Sequence, residues 1–180
     1  DLPVQPRFTR LIVGPTGVGK SHLVRSLAAE LRVPCLELNS TNWIPLGANH
    51  RGTRQTWIDV ADFCQHNDRG LIFVDEIDKL FGFSSWVNYI RVEVFGLLDR
   101  RVPDNLSFPS EDETDPNELL ALMAIAKVRL RNAMFLVGAG AFQNLWQQKR
   151  SQPIGFADLG ATPLSDLSHS DMATVLPAEI

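Results

Sequence analysis

The fold is decided by residues 14–21, which read Gly-Pro-Thr-Gly-Val-Gly-Lys-Ser and follow a short apolar run at residues 11–13. This is a complete G-x-x-x-x-G-K-[ST] pattern behind a strand-like segment, the context in which the pattern predicts a phosphate-binding loop. Glycine tolerates backbone angles that other residues resist, so successive N–H groups can turn inward around an anion. The alternative is a glycine turn between a strand and a helix that binds no ligand.

Each residue type in this loop has an expected task. We expect the Lys20 ammonium to reach the β- and γ-phosphates and the Ser21 hydroxyl to ligate Mg²⁺. After Lys20, Leu23, Leu27 and Leu31 recur every four positions, which predicts a helix whose N-terminus points at the phosphates. The predicted cofactor-binding residues are Gly14, Pro15, Thr16, Gly17, Val18, Gly19, Lys20, Ser21 and His22.

Length and composition predict that residues 1–180 form a single domain, and the loop makes this a predicted nucleotide-binding domain. A chain of 180 residues with 44% hydrophobic residues can bury one core, and its net charge of −4 gives no global attraction to nucleic acid or anionic membranes. Because no apolar stretch approaches the roughly 20 residues that span a bilayer, and the first residues lack a secretory signal pattern, we expect a cytoplasmic protein without a membrane partner. Cys35 and Cys64 have no metal-ligand spacing and are predicted to be buried free thiols.

Strand-like and helical patterns alternate along the chain. Strands are predicted at residues 10–13, 35–38, 71–74 and 133–137, and further helices over about residues 53–66, 87–100 and 119–127. This alternation predicts an α/β fold, a parallel sheet sandwiched by helices. The acidic, proline-rich residues 103–116 are expected to form a solvated loop without a site.

The second half of the predicted site lies at the end of a buried strand. Residues 70–76 read Gly-Leu-Ile-Phe-Val-Asp-Glu, and ligands of such sheets bind at the carboxyl ends of the strands. In P-loop NTPases, the first acidic residue after such a strand holds Mg²⁺. Asp75 is therefore a predicted metal ligand together with Ser21. Glu76 can accept a proton from the attacking water, or orient it, and is the predicted catalytic residue together with Lys20. The alternative is a helix N-cap followed by a first-turn acid.

Three segments together resemble the AAA+ ATPases: the loop at residues 14–21, Ile-Phe-Val-Asp-Glu-Ile-Asp-Lys-Leu at 72–80, and Phe-Leu-Val-Gly-Ala-Gly-Ala-Phe-Gln at 135–143. The Gly-Ala-Phe ending, and Ile-Gly-Phe at 154–156, are most similar to the Clp and HslU type of protein unfoldase. The resemblance implies a P-loop NTPase fold, ATP and Mg²⁺ as cofactors, and ATP hydrolysis. It also implies assembly into a ring, usually a hexamer, with ATP at the subunit interfaces.

The sequence departs from this family at three places. The polar sensor residue at the end of the fourth strand has no clear counterpart among Gly138, Ala139 and Gly140. The sequence also stops at a segment that resembles the one just before the family's trans-acting arginine. Without that arginine, a fifth core strand and a small lid domain, residues 1–180 are expected to be a fragment of a longer protein.

The third departure leaves the macromolecular substrate open between protein and DNA, with protein as the first hypothesis. The loop expected after the second strand has an Asn-His-Arg tip, where protein unfoldases carry an aromatic residue. Trp43 and Ile44 would grip a polypeptide if exposed, although a Trp beside Ile and Pro is also typical of packed core. His50, Arg51 and Arg54 suit either nucleic-acid phosphates or a solvated surface. A slow-hydrolysing, nucleotide-gated assembly switch is a further alternative.

Two groups on the predicted third helix also have alternative interpretations. We expect core packing for Trp86, Tyr89 and Phe95. The alternative is that Trp86 faces a partner. Two positions are open for Arg91, Arg100 and Arg101. They either contact the ATP of a neighbouring subunit or lie exposed to solvent near a helix end.

Overall fold

The computed structural model describes residues 9–46, 55–81, 85–103 and 116–143. Within these ranges, strands and helices alternate as the sequence predicts. The strands are β1 (Thr9–Val13), β2 (Cys35–Asn39), β3 (Gly70–Asp75) and β4 (Met134–Gly140), and the helices are α1 (Lys20–Leu31), α2 (Thr56–His66), α3 (Ser85–Leu98) and α4 (Pro116–Asn132). One short 3₁₀ turn, Ser40–Asn42, directly follows β2, and a second, Ile77–Phe81, follows β3 after Glu76.

The described strands form one parallel sheet in the order β1-β4-β3-β2. Of the described strands, β4 comes last in sequence, and it therefore lies between β1 and β3, with Val13 opposite Gly140 and Val74 opposite Gly138. Since parallel strands end at the same edge, this order gathers the residues that follow β1, β3 and β2 along one rim of the sheet. Both halves of the predicted site lie on that rim.

Helices cover both faces of the sheet, which confirms the predicted α/β sandwich. Helix α1 packs on one face, where Val24 and Ala28 contact a cluster that includes Phe73 and Val137. The other face is covered by α2, α3 and α4, and its core holds the apolar row that the sequence predicts on α2: Trp57, Val60, Ala61 and Cys64.

Two helices bury only part of the apolar residues that their sequence patterns contain. In α1 the buried row is Val24 and Ala28, whereas Leu23 and Leu31 are more than half exposed. In α3 Phe95 packs against the core, but Trp86 and Tyr89 are 50% and 68% exposed, so the packing predicted for these two aromatics is wrong. Both rings lie in the first turns of α3, before the stretch from Ile90 that the core covers.

Helix α3 ends two residues earlier than predicted because Arg100 adopts a left-handed backbone, with φ of 62°. The N–H of Arg101 donates to Gly96 O and the N–H of Arg100 to Leu97 O, the hydrogen bonds of a Schellman C-cap. The Arg100 side chain is buried, and its guanidinium donates to Leu130 O at 2.7 Å, near the end of α4. Arg100 thus occupies neither predicted position, since it joins two helices inside the protein.

Helix α2 begins at Thr56, three residues later than predicted, because its N-cap Gln55 is extended. Most other boundary differences are extensions. Strand β4 continues three residues past the predicted end, and α4 spans Pro116–Asn132 rather than 119–127. Most of the expected 103–116 loop and all residues after 143 lie outside the described part of the chain. In the described part, no helix combines the length and apolar character needed to cross a membrane.

Candidate active site

The loop between β1 and α1 has the backbone that its glycines predict. Gly17 and Gly19 have φ of 86° and 90°, a region that residues with a Cβ rarely adopt. Gly19 is also the N-cap of α1, where no hydrogen bond from its own side chain is possible and the first turn carries no acidic residue. The first N–H groups of α1 and the positive end of its dipole are therefore suited to an anion.

The Lys20 ammonium lies across this loop. Its Nζ donates to Gly14 O at 2.8 Å and to Pro15 O at 3.0 Å. An ammonium has three N–H donors and no acceptor. The two carbonyl groups lie on one side of it, so it can still donate to an anionic oxygen on another side. The structure thus places the predicted phosphate-binding lysine against the carbonyl groups that begin the loop.

The two predicted metal ligands are in direct contact. Ser21 Oγ donates to Asp75 Oδ2 at 2.7 Å, although the residues are 54 positions apart in the chain. The other carboxylate oxygen, Oδ1, accepts the N–H of Glu76 at 2.8 Å, which fixes the orientation of the carboxylate. A hydroxyl and a carboxylate are the hard oxygen ligands that Mg²⁺ takes together with substrate phosphates. No cluster of three or more His, Cys, Asp or Glu side chains that could hold a metal ion occurs among the described residues.

Glu76 is held in an unusual backbone conformation. Its φ is 58°, which is uncommon for a residue other than glycine. Residues in such backbone conformations cluster at active sites and ligand-binding sites. Two hydrogen bonds to its carbonyl oxygen support this conformation, from Ser40 Oγ at 2.6 Å and from the N–H of Lys79 at 3.0 Å. The side chain of Glu76 therefore leaves the strand end in a direction that the surrounding turns determine.

The Glu76 carboxylate points toward the end of β2. Its Oε2 lies 3.2 Å from Thr41 Oγ1, which is also 2.7 Å from Asn39 Oδ1. The single hydroxyl proton of Thr41 can be donated to only one of these acceptors at a time. Asn39, Ser40 and Thr41 were not among the predicted site residues. The pattern that could have indicated them is three consecutive polar residues at the end of an apolar strand, at the rim where Asp75 and Glu76 also lie.

No side chain with a polar atom extends from the last three residues of β4, which are Gly138, Ala139 and Gly140. The carboxylate of Asp78 approaches this strand end instead, and its Oδ1 accepts the N–H of Ala141 at 3.0 Å. Asp78 was not a predicted site residue either.

The structure rules out Trp43 as a residue that grips a polypeptide. Trp43 is 3% exposed and packs edge-on against Trp57, with ring centroids 6.4 Å apart. Its indole N–H donates to Glu93 Oε2 at 2.8 Å, so the core alternative is correct. His50, Arg51 and Arg54, the residues considered for nucleic-acid contact, lie outside the described part of the chain.

The other candidate residues are less closely tied to this rim. His22 is exposed on α1, next to the half-buried Ser21. Arg91 is half-buried and bonded to Asn88, whereas the Arg101 side chain is 72% exposed and pairs with Asp99 at 2.6 Å.

The cysteines carry no reactive site. Both are free, Cys64 buried as predicted and Cys35 only half-buried. Burial raises the pKa of the Cys64 thiol to about 11, and burial likewise raises the pKa of Cys35. Thiols with raised pKa values are poor nucleophiles at neutral pH.

Comparisons with known proteins agree with this geometry. Residues 10–93 match the ATPase family associated with various cellular activities (AAA). Over 70 residues the chain is 34% identical to the ATP-dependent zinc metalloprotease FtsH of Thermus thermophilus, and the matched segment covers 39% of this chain and 11% of that protein. Over 74 residues it is 34% identical to the ATP-dependent Clp protease ATP-binding subunit ClpX of Porphyromonas gingivalis, covering 39% and 18%.

The similarity also extends to protein Ycf2 of Oenothera parviflora, with 36% identity over 84 residues, 43% of this chain and 4% of that protein. The chain thus spans less than a fifth of the length of these relatives. The matched segment contains the phosphate loop, the Ser21–Asp75 contact and Glu76. Residues 10–93, which carry these features, are thus similar to the AAA family of ATPases.

Proposed function

We propose that the protein is a Mg²⁺-dependent ATPase whose site is the rim formed by the 14–21 loop, Asp75 and Glu76. The observation that carries this proposal is the 2.7 Å contact between Ser21 Oγ and Asp75 Oδ2, because it joins the loop to the acids in one place. The loop backbone and Lys20 bind the phosphates. Ser21 and Asp75 would hold Mg²⁺, which would supply charge neutralisation for the bound phosphates.

Glu76 provides the base in this mechanism. A water oxygen forms a bond to the γ-phosphorus as the bond between that phosphorus and the ADP oxygen breaks. The Glu76 carboxylate orients the water and accepts its proton. Lys20 and the N–H groups at the start of α1 stabilise negative charge that spreads over the phosphate oxygens during this step.

Two variants test the proposal. Lys20→Ala removes the ammonium next to the loop and is expected to abolish detectable binding of ATP in titration calorimetry. Glu76→Gln keeps the shape of the side chain but cannot take a proton, so it should bind ATP normally and hydrolyse it about 10² to 10⁴ times more slowly.

Matched controls come from exposed residues of the same types. Lys127→Ala on α4 and Glu30→Gln on α1 should leave both binding and turnover unchanged. Unchanged ATP affinity in Lys20→Ala would refute nucleotide binding at this loop. Wild-type turnover in Glu76→Gln would remove Glu76 from the mechanism, and negligible turnover in the wild-type protein would favour the nucleotide-gated switch.

We further propose that the ATPase acts as a ring, most simply a hexamer, that remodels or translocates protein in the manner of the Clp branch. The names of two relatives support protein as the substrate, since one is an ATP-dependent metalloprotease and the other an ATP-binding subunit of a protease. The net charge of −4 gives no general attraction to DNA. This proposal includes a cytoplasmic location, which rests on the sequence alone.

A further inference from the structure

One peptide group at the end of β4 contacts both halves of the site. The carbonyl of Gly140 accepts the N–H of Gly14, the first residue of the phosphate loop, at 3.3 Å. The N–H of Ala141, which belongs to the same peptide group, donates to Asp78 Oδ1 at 3.0 Å. Because a peptide group is planar and rigid, the position of Asp78 on one side is coupled to the position of Gly14 on the other.

The series of contacts continues to Lys20. The carbonyl of Gly14 accepts from Lys20 Nζ at 2.8 Å, so hydrogen bonds lead from the Asp78 carboxylate through β4 and Gly14 to the ammonium. Hydrogen bonds to a charged acceptor are stronger than those between neutral groups, and neighbouring bonds in a network polarise one another. Asp78 therefore anchors a network that ends at a predicted phosphate-binding residue.

The surroundings of Asp78 keep its carboxylate in this position. Its side chain is only 11% exposed and lies in the 3₁₀ turn Ile77–Phe81, directly after Glu76. A Cβ atom at Gly140 would lie 2.9 Å from Asp78 Oδ1 and 2.6 Å from the ring of Phe142. A side chain at position 140 would thus crowd both the carboxylate and the Phe142 ring, and the glycine leaves room for the Asp78 contact.

We propose that Asp78 is a positioning residue that fixes the phosphate loop through the Gly140–Ala141 peptide group and so raises the affinity of the loop for nucleotide phosphates. This inference rests on the proposed function, since it concerns the same loop. Binding is tighter when the binding groups are already held in their bound arrangement. In this chain, the polar group that orders the end of β4 comes from the adjacent turn rather than from β4 itself.

The test compares ADP affinity and thermal stability in four full-length variants. Asp78→Ala loses the acceptor for Ala141 and should bind ADP about tenfold more weakly. Asp78→Asn keeps an oxygen at the same place and should stay within about threefold of the wild type. Gly140→Ala should weaken ADP binding in the same direction as Asp78→Ala, because its Cβ crowds the carboxylate.

The control variant is Asp99→Ala. Asp99 is similarly shielded, with a side chain 17% exposed, but its ion pair is with Arg101 at the end of α3. It should lower the melting temperature without changing ADP affinity, which separates positioning of the loop from a general loss of stability. Wild-type ADP affinity in folded Asp78→Ala, or equal weakening in Asp78→Asn, would overturn the inference. If Asp78→Ala does not fold, Gly140→Ala decides, and unchanged affinity there would overturn it.

Backbone amide exchange separates this inference from the proposed function. If the wild-type protein binds no nucleotide, the proposed function has failed, but the network can still be measured. In the absence of nucleotide, the amide hydrogen of Gly14 should exchange about tenfold faster in Asp78→Ala than in the wild type. Equal protection of Gly14 in the two proteins would show that Asp78 does not position the loop.

Discussion

Among single residues, Glu93 shows how a carboxylate in the core holds two segments together. Its Oε2 accepts the indole N–H of Trp43 and its Oε1 accepts the N–H of Leu46, each at 2.8 Å. Burial raises the pKa of Glu93, and these two hydrogen bonds oppose that effect. The carboxylate thereby ties the segment that follows β2 to the middle of α3.

This pKa shift leads to a prediction for Glu93→Gln. The amide of Gln has one acceptor oxygen, where the carboxylate has two. Either the Trp43 indole N–H or the Leu46 N–H would therefore face the NH₂ group of Gln, and the variant should be less stable by about 1–3 kcal/mol. A raised pKa in the folded state means that the folded protein binds the proton more tightly. The stability advantage of the wild type over Glu93→Gln should therefore be greatest below the unfolded-state pKa and decrease as pH rises through the folded-state value.

Urea unfolding of both proteins between about pH 4 and pH 7.5 measures this difference, since the range brackets the usual Glu pKa. Glu30→Gln on the exposed surface of α1 is the control, and its stability difference from the wild type should be small. An advantage that stays constant over the range, or grows with pH, would contradict the raised pKa.

The sequence predicted individual site residues where a local pattern carries the chemistry. Lys20 and Ser21 follow from the spacing within the loop, and Asp75 and Glu76 from their place after an apolar run. The contacts of Asp78 and Thr41 could not be predicted, because they join residues 63 and 35 positions apart. Such contacts depend on which strands are neighbours and on register, and neither is written in a local pattern.

At the scale of secondary structure, glycines account for the difference between the predicted and the observed end of β4. Gly138 and Gly140 in β4 carry no side chain that could show an alternating or apolar pattern, so the strand was predicted to end at residue 137. Both are needed, since a Cβ at Gly138 would lie 2.4 Å from Ile77 Cδ1. The apolar runs of β2 and β3, by contrast, were predicted to within one residue at each end.

Glycine substitutions in two elements should therefore have opposite effects. Gly96 lies inside α3, where an added Cβ would have Arg101 O at 3.8 Å as its nearest neighbour, an ordinary contact. Gly96→Ala should stabilise the protein by about 0.5–1 kcal/mol, because alanine loses less conformational entropy in a helix. Gly138→Ala should destabilise it by about 1–3 kcal/mol, because its Cβ overpacks the core against Ile77.

The midpoints of urea unfolding would measure both effects under one set of conditions. An unchanged dependence of unfolding free energy on urea concentration would show that only stability has changed. A lower midpoint for Gly96→Ala would mean that α3 does not accept a side chain at this position. A wild-type midpoint for Gly138→Ala would show that Ile77 moves aside without loss.

At the scale of the whole molecule, the strand order creates the site. Because β4 lies between β1 and β3, the loop after β1 and the acids after β3 face one another across the end of a third strand. Helix α1 then begins at this rim with its positive end, on the face opposite α2, α3 and α4. The alternation of strands and helices predicted the layers, but the order of the strands required the structure.

If the molecule works as an ATPase on protein, its turnover should respond to unfolded polypeptide. We expect a chemically unfolded protein to increase the steady-state ATPase rate, whereas double-stranded DNA should not, since a net charge of −4 offers little attraction to phosphates. Phosphate release with each additive, at low and at physiological salt, measures this response. Lys20→Ala should show no turnover under any condition. Stimulation by DNA that weakens steeply with salt, without a response to protein, would instead identify a DNA-dependent ATPase, because binding to phosphates releases counterions.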